Sequence, residues 1–169
     1  MPIEMKVEFD GETHVIEFEH SLRNMSKWEA RTKKAFLGST QKTANEMVAY
    51  YADMIISPNT DKNLVYALSP QQMAQLTDYI NSEQTASSVP QETKSQYNPE
   101  VTTSELIYYW MTGLKINWEA QDWHLSRCMM LIQITSYKQQ PPKKRNAREV
   151  MSDWAAENER RLKMFKTSG

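Results

Sequence analysis

The chain has 169 residues, of which 40% are hydrophobic and 24% are charged, so it carries enough apolar material for one folded domain. Its 4 glycines and 7 prolines argue against glycine-rich phosphate loops, collagen-like repeats and turn-dense β-sandwiches. The single cysteine excludes an internal disulfide and a cysteine-based structural zinc site. The start of the chain is charged and no run of about 18 apolar residues follows, so we expect neither a targeting segment nor a membrane span.

Charge is distributed unevenly along the chain, although its net charge is only −1. Residues 1–137 hold 11 basic and 17 acidic side chains, a net charge of −6. Residues 138–169 hold 9 basic and 4 acidic side chains, a net charge of +5. The sequence therefore predicts a single globular domain over residues 1–137, followed by a basic linker and a C-terminal helix over residues 138–169.

The beginning of the chain has the pattern of a β-hairpin. Polar and apolar residues alternate on both sides of the turn dipeptide Asp10-Gly11. In the first strand, this alternation predicts that Met5, Val7 and Phe9 point inward. Two strands alone are only marginally stable, so we expect the hairpin to pack on helices.

Apolar residues recur at helical spacing through most of the remaining chain. Capping boxes run from Thr43 to Glu46 and from Thr102 to Glu105, and Ser69 precedes a proline at the first helical position. The predicted elements are a hairpin over 4–18, helices over about 21–35, 43–56, 70–82, 102–114 and 119–137, and a flexible loop over 83–101. Together they predict a mostly α-helical α+β fold, with the N-terminal hairpin packed on a helical core and a basic amphipathic helix at the C-terminus.

The helix predicted over residues 119–137 is apolar on most of its surface. One face carries Leu125, Cys128, Met129 and Ile132, and a second face carries Trp123, Met130, Leu131 and Ile134. A helix that is apolar on most sides is usually buried, so we expect this helix to form the centre of the core.

The residue patterns do not point to a metal site or an activated nucleophile. His14, His20 and His124 lack metal-ligand spacing, and His124 is expected to be a structural histidine with a hydrogen-bonded ring. Cys128 lies in an apolar run, so we expect a core residue rather than a reactive thiol.

Two pairs of carboxylates are close enough in sequence to share a proton. They are Glu17 with Glu19 at the end of the hairpin, and Glu119 with Asp122 on a predicted helix. Acidic residues are common on solvated surfaces, so we expect no catalytic pair. The sequence therefore predicts a protein that is not an enzyme and has no catalytic residues, metal, cofactor or small-molecule substrate.

The C-terminal segment is the most informative part of the chain. A proline pair precedes a basic run, and a helix is predicted from Asn146 to about Lys166. One narrow apolar stripe interrupts its charged surface, which is typical of a helix that binds a partner. The predicted partner-binding residues are Val150, Met151, Trp154, Leu162 and Phe165, with Lys143, Lys144 and Arg145 as electrostatic support. Docking of the helix on its own domain and contact of the basic run with phosphates remain alternatives.

Three blocks of sequence carry a family resemblance. The first block contains Ser21-Leu22, Met25-Ser26-Lys27-Trp28-Glu29, Phe36-Leu37, Lys42-Thr43, Glu46, Tyr50 and Met54. The second block contains Tyr79-Ile80 and Thr85-Ala86. The third block contains Ser104-Glu-Leu-Ile-Tyr-Tyr-Trp-Met111, Trp123-His124-Leu125 and Pro141-Pro142-Lys143-Lys144. With these blocks, the chain resembles a family of small tailed-bacteriophage proteins, encoded among the tail genes and regarded as tail assembly chaperones. It departs from the family at Asn117-Trp118 and Met129-Met130, where Pro-Phe and Leu-Leu are usual.

The resemblance implies a helper of folding and assembly rather than an enzyme. Such chaperones coat the long, mostly helical tape-measure protein before the tail tube polymerises around it, and tail tube subunits are a second implied partner. The implied location is the cytoplasm of the infected host cell, with the chaperone absent from the mature virion. The alternatives are a structural virion protein of the tail or head-tail connector, and a nucleic-acid-binding module that uses the basic C-terminal segment. No membrane partner is expected.

Overall fold

A computed structural model describes residues 2–38, 41–89, 100–140 and 147–165, with the side chains of 151–164 in the last segment. The strands are β1 (Ile3–Phe9) and β2 (Glu12–Phe18), which form one antiparallel pair. The helices are α1 (Leu22–Thr32), α2 (Ala44–Met54), α3 (Pro70–Asn81), α4 (Ser104–Gly113), α5 (Leu125–Gln139) and α6 (Ala147–Phe165), with 3₁₀ helices at Lys62–Ala67 and Trp118–Asp122. The predicted class, a mostly helical α+β fold with an N-terminal hairpin, is confirmed.

The hairpin turns tightly because Asp10 and Gly11 both adopt positive φ angles, 52° and 78°. Met5 and Val7 are buried, as the alternation of the strand predicts. The prediction for Phe9 is wrong, since 38% of this residue is exposed. Phe9 lies beside the turn, where the sheet borders an open cleft rather than the core.

Helix α1 lies at the centre of the core. Its Leu22, Met25 and Trp28 are fully buried, and the helix packs against both α2 and α4. The indole N–H of Trp28 donates a hydrogen bond to the backbone oxygen of Glu46 at 3.2 Å, which joins α1 to the start of α2. Full burial of each apolar side chain of this size contributes about 2 kcal/mol to folding.

Helix α1 ends at Thr32, earlier than predicted, because Lys33 adopts a left-handed conformation with a φ of 58°. The chain reverses there and returns Phe36 to the core. The ring centroid of Phe36 lies 5.2 Å from that of Trp28 and 4.5 Å from that of Tyr50. Phe36 therefore joins the core from a turn rather than from the helical stripe.

The predicted starts of α2 and α3 are confirmed. Thr43 and Glu46 form the predicted capping box with hydrogen bonds of 2.8 and 3.2 Å, and Ser69 caps α3. The cap of α4 is Thr103 instead of Thr102, because the Thr103 hydroxyl accepts the backbone N–H three residues further on, at 3.3 Å.

The helix predicted over residues 119–137 is interrupted. A 3₁₀ helix occupies Trp118–Asp122, and α5 begins only at Leu125. The start of α5 is held by a hydrogen bond of 2.7 Å from the backbone N–H of Leu125 to the backbone oxygen of His20. Because this contact joins two distant parts of the chain, the local sequence does not reveal it.

The prediction that this helix forms the centre of the core is also wrong. Only one face of α5 is buried, through Leu125, Cys128 and Ile132. The second apolar face is partly exposed, and Trp123, just before the helix, is 41% exposed. An apolar pattern identifies the apolar faces of a helix, but it does not show which of these faces pack against other elements of the fold.

The chain divides into two compact units, Met1–Lys138 and Gln139–Gly169. The predicted loop over 83–101 is free of helix and strand at residues 83–89 and 100–101, and its remaining residues lie outside the described part. In the described part of the chain, no helix combines the length and apolar character that crossing a membrane requires.

Candidate functional site

Helix α6 carries the predicted partner-binding stripe, and its charges favour helix formation. Glu157 pairs with Arg161 at 3.4 Å, and Glu159 pairs with Lys163 at 2.8 Å. Each acid-before-base pair of this spacing stabilises a helix by about 0.2–0.5 kcal/mol. Three of its four basic residues, Arg160, Arg161 and Lys163, also lie near the C-terminal end, where they complement the helix macrodipole.

The helix itself is not basic. Over Ala147–Phe165, four basic and four acidic side chains balance, so the positive charge of the C-terminal segment comes from residues that flank the helix. The charges within α6 are also segregated. From Glu149 to Glu159 all four charged residues are acidic, and basic residues follow from Arg160 onward.

Three predicted contact residues are exposed on α6. The exposed fractions are 74% for Met151, 77% for Trp154 and 39% for Leu162. At about 100° per residue, these positions fall within an arc of about 80° on one side of the helix. The other predicted contacts lie outside the described part of the chain: the whole of Lys143, Lys144 and Arg145, and the side chains of Val150 and Phe165.

A tryptophan and a methionine exposed together on one helix face form a surface suited to a protein partner. Met164 is also exposed, at 73%, and was missed by sequence reasoning. Met164 lies beside the stripe rather than on it, so its spacing from Trp154 did not predict that it belongs to the same apolar face.

A second surface feature is a groove of about 350 Å³ along α5, with both polar and apolar lining residues. The groove is lined by residues 84–87 and by Trp123, Arg127, Met130, Leu131 and Ile134. The backbone N–H of Gln84 donates to the Ser126 hydroxyl at 3.0 Å, which holds residues 84–87 beside the helix. The Arg127 guanidinium lies 5.4 Å from the ring centroid of Trp123.

The sequence placed the apolar residues of this groove in the core. Their periodicity is helical and is compatible with either a buried or an open face. Arg127 is the one charged side chain among the lining residues, all of which belong to the described part of the chain. The presence of Arg127 in the sequence could have indicated that this face of α5 is exposed, since an isolated arginine is rarely buried.

A buried polar cluster joins the end of the hairpin to α2, α3 and the start of α5. His20 Nδ1 lies 2.6 Å from the Tyr50 hydroxyl, and the Tyr79 hydroxyl donates to Glu19 Oε1 at 2.6 Å. His124 Nε2 lies 3.2 Å from the backbone oxygen of Tyr79. The ring centroids of His20 and His124 are 5.2 Å apart.

The histidines of this cluster are uncharged at neutral pH. Burial, together with the nearby His124, lowers the pKa of His20 to about 3. Burial also lowers the pKa of His124 and raises the pKa of both Tyr50 and Tyr79. His124 is buried with hydrogen bonds at both ring nitrogens, as predicted, and the cluster is arranged for packing and hydrogen bonding.

The carboxylates considered for catalysis have different surroundings. Glu17 is exposed, whereas Glu19 is buried, and Asp122 forms a two-point ion pair with Arg23 at 2.5 and 2.9 Å. Cys128 is fully buried as predicted, and burial raises its pKa to about 11. Within the described residues, no group of three or more His, Cys, Asp or Glu side chains is placed to hold a metal ion.

No family model, curated protein or solved structure matches the chain. The proposal below therefore depends on the stripe on α6 and on the residues that carry the family resemblance.

Proposed function

We propose that the chain is a phage tail assembly chaperone that binds apolar helical segments of the tape-measure protein in the cytoplasm of the infected host. The observation that carries the proposal is the exposure of Met151 and Trp154 on one face of α6. Two large apolar side chains on an exposed helix are suited to contact with another apolar helix. The family resemblance supplies the identity of the client, and tail tube subunits are the second proposed partner.

The strength of this contact suits a chaperone that must release its client. Covering the exposed part of a tryptophan removes about 150 Å² from water and favours binding by about 4 kcal/mol. Association costs at least about 4 kcal/mol in lost translational and rotational freedom, so a single tryptophan contact is weak. A flexible methionine beside it adapts to different apolar stripes along a long client.

The basic run Lys143-Lys144-Arg145 is proposed as electrostatic support for acidic segments of the client. Charged contacts of this kind speed the first encounter and are screened by salt. We therefore expect client binding to weaken, without disappearing, as ionic strength rises.

Co-expression with the tape-measure protein of the same phage tests the proposal. Three forms of the chain are compared: the native sequence, Trp154→Glu and the control Ala156→Glu. Residues 154 and 156 are both exposed on α6. Because residue 156 lies away from the apolar stripe, the control adds the same charge without touching it.

We expect the native chain and Ala156→Glu to keep the client soluble and to co-elute with it. Trp154→Glu should reduce co-elution about tenfold or more, since a loss of only about 1.4 kcal/mol has that effect. Equal co-elution of all three forms would contradict the role of the stripe. A client that stays insoluble with every form would contradict the chaperone function.

Mass spectrometry of purified virions distinguishes the chaperone from a structural protein of the tail or connector. We expect peptides of the tape-measure and tube proteins and none of this chain. A fixed number of copies of this chain in each virion would overturn the proposal in favour of the structural alternative.

A further inference from the structure

The outer edge of the hairpin strand β2 has unpaired backbone groups. The residue pair next to a two-residue turn is hydrogen bonded, so Glu12 and every second residue after it bond to β1. The residues between them, Thr13, Val15 and Glu17, direct their backbone N–H and C=O groups away from β1. This outer edge therefore offers hydrogen-bond donors and acceptors to a further strand.

The chain itself begins such a strand at residues 54–56 and then leaves the edge. The backbone N–H of Ile56 donates to the backbone oxygen of Glu17 at 3.1 Å. A turn, closed by a hydrogen bond of 3.3 Å from the Thr60 N–H to the Ser57 oxygen, then carries the chain away from β2. Pairing therefore stops at Glu17, and within the described residues no hydrogen bond engages the outward backbone groups that precede it.

The unpaired stretch lacks the features that usually protect an edge strand. Thr13 and Val15 are exposed β-branched residues, and β2 contains no lysine or proline. The outer edge of β1 differs, because Lys6 is an exposed lysine and its backbone oxygen accepts from Gln72 Nε2 at 2.7 Å. The unpaired edge of β2 is thus the one suited to the addition of a strand.

The unpaired edge of β2 borders an acidic cleft of about 570 Å³. The lining residues, all in the described part of the chain, are Phe9, Asp10, Glu12, His14, Val15, Asn59, Thr60, Asp61 and Leu64. Three of them are acidic, and none is a lysine or an arginine. Asp61 Oδ1 accepts the backbone N–H of Asn63 at 2.9 Å, whereas no hydrogen bond or ion pair in the described part engages Asp10 or Glu12.

We propose that an extended, basic segment of a partner protein binds in this cleft as an added strand on β2. Its backbone pairs with the outward N–H and C=O groups of Thr13 and Val15, in line with the pairing that residues 54–56 begin. Its lysine or arginine side chains contact Asp10 and Glu12. Backbone pairing supplies most of the affinity, and the carboxylates select a basic segment.

Two features favour a basic partner over a second copy of this chain and separate the site from the stripe on α6. Pairing of two β2 edges would bring the carboxylates of Asp10 and Glu12 in both copies close together, and like charges across paired strands are destabilising. The cleft belongs to the first compact unit, whereas α6 belongs to the second. The inference therefore goes beyond the proposed function and does not depend on it.

Hydrogen exchange of single backbone amides, measured by NMR on the full chain, tests where a basic peptide binds. The probe is a short synthetic peptide in which lysine alternates with threonine and valine. We expect a saturating amount of peptide to slow exchange at Thr13 and Val15 about tenfold or more. His14 and Ile16 should be protected before the peptide is added, because they bond to β1. Unchanged exchange at Thr13 and Val15 would overturn the proposal.

Two altered peptides separate the backbone contribution from the charge contribution without changing the protein. One has N-methyl groups on its central backbone amides, and the other has glutamate in place of every lysine. We expect each change to raise the dissociation constant about tenfold or more, through lost hydrogen bonds or through repulsion. Equal binding of the N-methylated peptide would contradict strand addition, and equal binding of the acidic peptide would contradict selection by charge.

Paired substitutions test the cleft from the side of the protein. Asp10→Asn combined with Glu12→Gln removes both carboxylates, and asparagine tolerates the positive φ of residue 10. Binding of the basic peptide should weaken about fivefold and depend less on salt. The matched control, Glu4→Gln combined with Glu8→Gln, changes exposed carboxylates of β1 that do not line the cleft, so it should bind as the native chain does. Equal weakening by both pairs would indicate general attraction to an acidic surface and would overturn the site.

The same exchange experiment without peptide distinguishes a second copy of this chain as the occupant. We expect exchange at Thr13 and Val15 to be independent of protein concentration. Protection of both amides that increases with concentration, together with a doubled mass by light scattering, would show that two copies pair through β2. That result would overturn the proposal of a basic partner, whatever the co-expression test shows for the client.

Discussion

At the scale of single residues, Glu29 joins two segments that are distant in the chain. Its Oε1 accepts the backbone N–H of Phe36 at 2.8 Å. Its Oε2 accepts the backbone N–H and the hydroxyl of Ser104 at 2.7 and 2.5 Å. The carboxylate thus ties the turn after α1 to the start of α4. The local sequence does not indicate this role, since Phe36 reaches Glu29 through a turn and Ser104 comes from a distant segment.

Glu29→Gln should lower the free energy of unfolding by about 2–3 kcal/mol. A glutamine keeps one oxygen but directs its amide NH₂ towards a backbone N–H, which leaves a buried donor unpaired. Urea unfolding measures the loss. The control Glu17→Gln, on the exposed side of the hairpin, should change stability by no more than about 0.5 kcal/mol. A similarly small effect at Glu29 would contradict its structural role.

His20 should make stability depend on pH. Its pKa is about 3 in the folded chain, whereas an unfolded histidine has a pKa of about 6.5. The unfolded chain therefore takes up the proton first, and stability falls as pH decreases from about 6.5 towards 3. Between pH 7 and pH 5, His20 accounts for a loss of about 2 kcal/mol, and the lowered pKa of His124 acts in the same direction.

Denaturant unfolding at pH 7 and pH 5 checks this prediction. His14→Gln should keep the pH dependence, because His14 is not part of the buried cluster around His20. His20→Gln should lose most of the dependence even if the variant is less stable overall. Equal stability of the native chain at both pH values would contradict the prediction, because it would show that folding does not lower the pKa of His20.

At the scale of elements, some helices begin where nearby residues cap them, whereas others begin where a distant part of the chain holds them. The starts of α2 and α3 follow from capping residues within one turn of each helix, so Thr43 and Ser69 identify them. The start of α5 depends instead on the backbone of His20, more than 100 residues away. The sequence pattern shows which faces of α5 are apolar, but tertiary packing determines which of these faces are buried. The groove could not be predicted for this reason.

Ala156→Pro tests whether the stripe works as one continuous helix. Proline in a helix interior costs about 3 kcal/mol and removes a hydrogen bond, so Met151 and Leu162 would no longer share a face. We expect reduced helical circular dichroism and loss of client co-elution. The main unfolding transition should remain, because α6 belongs to the second compact unit. Ala156→Glu is the matched control, and full co-elution of the proline variant would contradict a continuous binding helix.

At the scale of the whole molecule, counting charges already separates an acidic N-terminal part from a basic C-terminal part. The stripe of Met151, Trp154 and Leu162 could also be predicted from helical spacing, because the apolar face of a single amphipathic helix can be recognised without knowing the rest of the fold. The groove could be recognised only from the packing of α5. The proposed identity of the client depends on the family resemblance alone, because an apolar stripe selects a class of partner rather than one protein.

The most direct test of the chaperone function places a photo-crosslinking amino acid at position 154 of the full chain during phage infection. Mass spectrometry of the products then identifies what contacts the stripe, with position 156 on the opposite side of α6 as the control. We expect adducts with apolar helical segments of the tape-measure protein at position 154 and far fewer at position 156. Adducts that never include the tape-measure or tube proteins, or that are equal at both positions, would contradict the proposed function.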